Sequence, residues 1–594
     1  MKLKLLKALC LIMITHASFC QNFIEKQLPT PENLSSFFIG PLINSTIHYG
    51  AKPSNYNGEI IIFNHGYIDL NQLYFSNNTY YEEAYNAGYQ AVFVATTRGE
   101  GMWENGKLLA ESIDIITEKY KVKEVYIVAH SNGGKASEVA MFHHGKYNKV
   151  KKVFALGTPY WGTYLADLSQ QWWFNWLWKK TGLNEGSATS TTYYSKDVVR
   201  PFFDNHPNNQ PEKFVILGTS GFASGHTPIA PLMLASGGIL YLHQGTNDGV
   251  APYSSTLRPN GEYVFSKGAS KLDHIDVALG QYTWKHILPY LKGLKERTPV
   301  SNNSSKNIDS KIISDYQIIH SENDYDNIYL DKGNSSAVIN LFHTIEHSDL
   351  ELKTNNGVIE RLRGRNNNTP LNSTYVLNSL SNKIELEAKG KYTALVHQPN
   401  GPKMIFKKKD KELIISFINT NAEVDNIEVN MTITKTNNLL GNKSPEETFM
   451  YSLNSNRTTK DFRLNTSVFD EGVYSIFITG KHTDFKRSLI TGFTVGELNV
   501  SKLKSLQQSF TNDSFLSLKS NLISNELQII DASIIKNTQI DVSLYNIHGQ
   551  KIITKNLNNN GNTYLLNTSN LTNGLYLLNV NRNGIQKTFK VIKK

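Results

Sequence analysis

The run Val125-Tyr-Ile-Val-Ala-His-Ser131-Asn-Gly-Gly-Lys-Ala-Ser-Glu-Val-Ala140 constrains the chain more than any other. Val125 to Ala129 is short, apolar and rich in β-branched side chains, as a strand buried on both faces requires. From Asn132 to about His144 the spacing predicts a helix that turns small residues inward. Ser131 stands on the corner between them. A turn this tight brings strand and helix backbones almost into contact, so only small residues fit two places before and after the serine. Ala129, Gly133 and Gly134 meet that demand. The corner strains the serine backbone and pushes its Oγ out over the sheet edge. A glycine-rich helix start with a capping serine would account for this run alone, but not for the rest of the pattern.

A chain of 594 residues exceeds what one core supports. With 40% hydrophobic and 19% charged residues it has the balance of folded protein. The net charge is +10, and residues 1–20 hold three of the lysines and no acid, leaving +7 for the remainder. No dense lysine and arginine face stands out, so nucleic acid is not an expected partner. Both cysteines, Cys10 and Cys20, lie in residues 1–20, where basic residues precede an apolar run from Ala8 to Ile14. That segment reads as a secretory signal peptide ending before Gln21; acylation at Cys20 is the other reading, which bulky Phe19 disfavours. Without residues 1–20 the chain has no thiol for a disulfide, a metal site or a nucleophile.

Residues 21–298 alternate short apolar strands with helical text, the signature of a mostly parallel sheet flanked by helices. Ile60 to Phe63 ends in Asn64-His65-Gly66-Tyr67, Ala91 to Ala95 follows, and helical text around Leu108 to Tyr120 leads into the Ser131 strand. Val153 to Leu156 ends in Gly157-Thr-Pro-Tyr-Trp161-Gly162. Phe214 to Leu217, Ile239 to Leu242 and Glu262 to Phe265 are further strand candidates. An aspartate, Asp248, stands in the turn Gln244-Gly-Thr-Asn-Asp248-Gly-Val-Ala-Pro, and a histidine, His274, in the loop Lys271-Leu-Asp-His274-Ile-Asp276. A serine needs an imidazole as general base and an acid to fix its tautomer. Asp273 and Asp276 are too near His274 in sequence to reach around its ring, which leaves Asp248.

These stretches together resemble bacterial lipases and esterases of the α/β-hydrolase family, many of which carry alanine two places before the serine. The Gly-Thr-Pro, Asn-Asp-Gly-Val and Asp-His segments have similar lipase counterparts. The resemblance implies an α/β-hydrolase fold with Ser131, Asp248 and His274 as catalytic residues. It implies an oxyanion hole from the main-chain N–H groups of Tyr67 and Asn132. The expected reaction is carboxylic-ester hydrolysis through an acyl-serine, on acyl esters, at a lipid or polymer surface. Polyester depolymerisation, amide or peptide hydrolysis, and a non-catalytic adhesin on the same fold remain alternatives. No cofactor or metal is called for, and a structural calcium ion is left open. Between about residues 160 and 211 lies an insertion with five of the seven tryptophans, Trp161, Trp172, Trp173, Trp176 and Trp178. Leu168 to Lys180 is apolar nearly all round if helical, which predicts a cap or lid lining an acyl pocket, or else a second small core.

After residue 298 the composition shifts. Residues 299–307 read as linker. Residues 308–408 and 409–497 read as a β-sandwich module and an immunoglobulin-like β module, with no catalytic pattern. Residues 498–521 read as a second linker. Residues 522–594 alternate apolar and polar positions around glycine turns and end on a basic strand. They are similar to the type A C-terminal sorting domains of type IX secretion cargo, which implies the type IX machinery as partner, a secreted or cell-surface location, and removal of the domain on arrival.

Overall fold

The computed structural model describes residues 23–36, 45–68, 73–75, 77–97, 100–174, 185–226, 230–294, 311–321, 325–331, 336–343, 349–354, 359–363, 372–377, 383–387, 392–500, 516–531, 539–546, 550–558, 563–582 and 585–594. The signal-peptide segment, the 299–307 linker, Trp176, Trp178 and the Trp172 side chain lie outside the described residues. The chain divides into two compact units, with the boundary between Glu497 and Leu498. Among the described residues no helix is long and apolar enough to cross a membrane.

The first unit opens with an eight-stranded sheet: β1 Ile24–Gln27, β2 Thr46–Tyr49, β3 Ile60–Asn64, β4 Gln90–Ala95, β5 Val125–His130, β6 Val150–Leu156, β7 Phe214–Leu217 and β8 Glu262–Tyr263. The spatial order is β1-β2-β4-β3-β5-β6-β7-β8, parallel throughout except that β2 runs antiparallel to β4. Every residue of β3, β4 and β5 is buried, as their unbroken apolar text demands. The chain leaves β3 toward β4 on one side and returns to place β5 on the other. The switch point therefore lies between the carboxyl ends of β3 and β5, where such sheets open a crevice. The Asn64-His65-Gly66-Tyr67 loop and Ser131 stand at those two ends.

Among the described residues, the α-helices of six or more residues are α1 Tyr80–Asn86, α2 Met102–Tyr120, α3 Asn132–Glu138, α4 Tyr164–Ser169, α5 Ala230–Gln244 and α6 Gly280–Leu291. Tyr80, Tyr81 and Ala84 of α1 share one core with Trp284, Ile287 and Tyr290 of α6 and with Phe63, Phe93 and Val128 of the sheet. Helix α3, extended by a π-turn over Val139–His143, packs on α2, where a Cβ on Gly106 would come within 2.3 Å of the Val139 Cβ.

Ile239 to Leu242, expected as a strand, lies inside α5. A four-residue apolar run does not distinguish strand from helix, and at Gly237 the Phe222 ring packs so closely that a Cβ would lie 2.3 Å from its Cγ. The predicted strand Glu262 to Phe265 shortens to β8, continued by one bond from Val264 N–H to Ile216 O (2.9 Å). In the insertion, of the stretch Leu168 to Lys180 that reads as apolar nearly all round if helical, Leu168 and Ser169 end α4, Trp172–Phe174 form a 3-10 turn, and residues 175–180 lie outside the described residues.

Two antiparallel β modules follow. The first has two four-stranded sheets within residues 316–397, and the second a five- and a four-stranded sheet within 403–495, joined by Lys311–Ser314. The expected boundary at residues 408/409 falls inside a hairpin, since Lys403–Lys409 pairs with Glu412–Ile418 and with Lys311–Ser314. The polar text there is its two-residue turn, with Asp410 at φ 52°, and the change of module lies after His397. The unit after Leu498 packs a three-stranded on a five-stranded sheet around Leu527, Ile529, Tyr564, Val542, Leu578 and Val591.

Candidate active site

Ser131 caps α3 with φ 55° and ψ −129°, a region that a side-chain-bearing residue adopts only under constraint. The constraint is close packing: a Cβ on Gly133 would lie 2.8 Å from the Asn64 Oδ1 and the His65 carbonyl oxygen, and one on Gly66 would lie 2.7 Å from the Ser131 Cβ. The strained turn and the β3 loop thus require each other's glycines.

The Ser131 Oγ lies 3.0 Å from the His274 Nε2, and the His274 Nδ1 lies 2.9 Å from the Asp248 Oδ2. All three residues are buried. The other Asp248 oxygen accepts the main-chain N–H groups of Val250 (2.9 Å) and Ala251 (2.7 Å), so the carboxylate has one edge fixed and one for the imidazole. The His274 N–H donates to the Asp248 carbonyl (2.8 Å), tying the two loops together. Gly157 closes the floor at φ 60°, where a Cβ would meet the Asp248 Oδ2 at 3.0 Å and the His274 Nδ1 at 3.1 Å. Asp273 and Asp276 face elsewhere: Asp273 accepts the N–H groups of Ile275 and Asp276, and Asp276 accepts from Ser224 and His226. Among the described residues no group of three or more His, Cys, Asp or Glu is arranged to hold a metal ion.

Several residues beyond the predicted site complete the surroundings. His130 donates its Nε2–H to the His274 carbonyl (2.7 Å); burial, then the neighbouring His274 ring, hold its pKa well below the ordinary value. His65 donates from Nδ1 to the Gly66 carbonyl (2.8 Å) and accepts the Thr96 N–H at Nε2 (3.1 Å). These roles fix its neutral tautomer and shape the loop before Tyr67. Glu138, at the end of α3, receives both Arg200 (2.5 Å) and Arg258 (2.8 Å) in full burial. Lys135, one turn into α3, is fully buried and donates to the Thr189 carbonyl (2.8 Å) and the Ser195 hydroxyl (3.2 Å). Burial, then Arg200, push its ammonium down to about 7.

Of the tryptophans expected to line a pocket, Trp161 donates its Nε1–H to the Leu257 carbonyl (2.8 Å). Trp173 is 7% exposed and belongs to a core formed with the β modules, stacking on His320 and meeting Phe477 edge-on. Its ring is built into a packed interface instead of being left open for an acyl chain.

No curated protein sequence matches the chain. Among solved structures, the Bacillus licheniformis lipase BlEst2 in its propeptide form superposes with a TM-score of 0.58 at 21% identity, covering 77% of this chain and 98% of that one. Residues 23–294 have an α/β-hydrolase fold. The mature form of the same lipase is 28% identical, with a TM-score of 0.38, over 42% of this chain and 99% of that one. Residues 524–594 match the family model of the secretion system C-terminal sorting domain. That domain belongs to type IX secretion and marks the chain for the cell surface or the exterior.

Proposed function

We propose that the protein is a secreted serine carboxylic-ester hydrolase acting on acyl esters. The observation that carries the reading is the continuous hydrogen-bond chain from Ser131 through His274 to Asp248, at the switch point of a hydrolase sheet. His274 Nε2 takes the Ser131 proton as Oγ attacks the ester carbonyl. Asp248 holds the ring in the tautomer with the proton on Nδ1 and stabilises the imidazolium that forms. The main-chain N–H groups of Tyr67 and Asn132 receive the oxyanion of the tetrahedral intermediate. His274 then returns the proton to the leaving alcohol, and an acyl-serine remains. Water, deprotonated by the same imidazole, releases the acid. The description of the structural neighbour as a lipase supports an acyl ester as substrate. The sorting domain supports a site of action outside the cell, with the sorting domain removed on arrival.

The test is a panel of p-nitrophenyl esters of increasing acyl length on the purified chain, with fluorophosphonate labelling in parallel. The expected result is ester turnover and labelling at Ser131, both lost in Ser131→Ala. Casein cleavage without ester turnover, or no labelling at all, would overturn the reading.

A further inference from the structure

The strap of residues 187–195 crosses the start of α3 and is held from several sides. Ser190 Oγ donates to the Asn132 Oδ1 (2.8 Å), and both side chains neighbour the Tyr67 phenol, offsetting part of the rise in its pKa that burial causes. The Ser190 hydroxyl thus holds the side chain of Asn132 next to Tyr67, the two residues whose main-chain N–H groups are proposed above to receive the oxyanion. Next to it, the Thr189 carbonyl receives the Lys135 ammonium (2.8 Å) and the Thr189 Oγ1 receives the Met102 N–H (3.2 Å). Further along, the Tyr194 hydroxyl accepts from Trp103 Nε1 (2.7 Å) and donates to the Leu439 carbonyl of the second β module (2.9 Å).

Lys135 is an unfavourable choice if it only fills space. It is fully buried. The nearby carboxylate of Glu138 is engaged by two arginines, so the ammonium has a carbonyl and a hydroxyl as its hydrogen-bond acceptors. A buried cation without a dedicated counter-ion is costly, and methionine would occupy similar volume without that cost. What lysine adds is a strong bond from the nucleophile helix to the strap, one residue from Ser190.

We propose that Ser190 and Lys135 are positioning residues, which clasp the 187–195 strap to the nucleophile helix and so keep the Tyr67 and Asn132 N–H groups aimed at the forming oxyanion. This rests on the ester-hydrolase reading above. Geometry of this kind acts on the transition state and not on ground-state binding, so its loss lowers kcat with little change in KM.

The experiment compares wild type, Ser190→Ala and Lys135→Met of the full chain, with active sites titrated by a fluorophosphonate. Ser190→Ala is expected to lower kcat per titrated site by about 10-fold, and Lys135→Met by about 10- to 100-fold. KM should stay within about twofold, and affinity for a trifluoromethyl ketone analogue of the tetrahedral intermediate should fall by the same factor as kcat. Unchanged kcat per titrated site, with the loss confined to the active fraction or the melting temperature, would overturn the proposal. Should Lys135→Met fail to fold, Ser190→Ala, which removes one exchangeable hydroxyl, decides alone. A wild type that neither labels nor turns over esters would instead bring down the parent reading.

Discussion

Ser131 sits at φ 55°, a conformation that costs on the order of 1–3 kcal/mol for a residue with a side chain. Ser131→Ala is expected to reduce ester turnover on the order of 10⁶-fold while leaving the melting temperature within about 2 °C of wild type, since the backbone demand is unchanged. Gly157 offers a sharper probe of the triad's floor. Gly157→Ala forces a left-handed residue and sets a methyl 3.0 Å from the Asp248 Oδ2 and 3.1 Å from the His274 Nδ1. It should destabilise by about 1–2 kcal/mol and lower kcat/KM by about 10²-fold as the pair is displaced. Urea unfolding and ester kinetics on the same preparation check both numbers. At this scale the hydrogen-bonded grouping of Ser131, His274 and Asp248 was legible in sequence, because each stands in a turn whose small neighbours leave a local signature. Lys135 and Ser190 leave none. Lys135 meets its partner Thr189 across 54 residues of sequence, and a lysine on a helix ordinarily reads as solvated.

The connecting elements carry a pH dependence of their own. Asp167 on α4 is buried and accepts the Thr192 N–H (2.7 Å) and hydroxyl (2.5 Å). Burial raises its pKa from 3.8 to about 7, with the Thr192 bonds opposing. Between those values the folded chain binds more protons at this site than the unfolded chain. Stability from this group is therefore complete below about pH 3.8 and is lost as pH rises through about 7. Asp167→Asn keeps the shape and removes the charge. Relative to wild type it should gain stability between about pH 4 and 7 and hold a constant advantage above, on the order of 4 kcal/mol at most. Thermal melts at pH 5, 6, 7 and 8 would show a widening gap; a constant gap from pH 5 upward would count against a raised Asp167 pKa. Most elements could be read from text, since β3, β4, β5 and the Val153–Leu156 end of β6 are short apolar runs that are buried throughout. Helix α5 could not. Its Ile239 to Leu242 run is as apolar as a strand, and the close packing of Phe222 on Gly237 is a tertiary contact that the text does not carry.

Across the first unit, the hydrolase region and the β modules are not beads on a linker. Leu165, Leu168, Trp173, Phe174, Ile239 and Leu240 lie in one core with Tyr316, Phe342, Leu413, Ile415, Val429 and Ile476. Polar bonds tie the same faces: Gln171 donates to Ser475 (2.7 Å), Lys408 donates to Asp197 (3.0 Å), and the Tyr164 and Tyr316 hydroxyls lie 2.5 Å apart. Sequence could not show this, because an apolar insertion reads alike whether it closes over substrate or over another module. The consequence is cooperative unfolding. All seven tryptophans belong to the hydrolase region, and of them Trp173 also touches the β modules, so their summed fluorescence reports chiefly on the hydrolase region. Ile415 is fully buried within the second β module, and Ile415→Ala should cost about 2–5 kcal/mol. If the two parts share one transition, that substitution lowers the urea midpoint of tryptophan fluorescence by the same amount as that of far-ultraviolet circular dichroism. A fluorescence midpoint that stays at the wild-type value while the dichroism midpoint falls would mean that the shared core does not couple them.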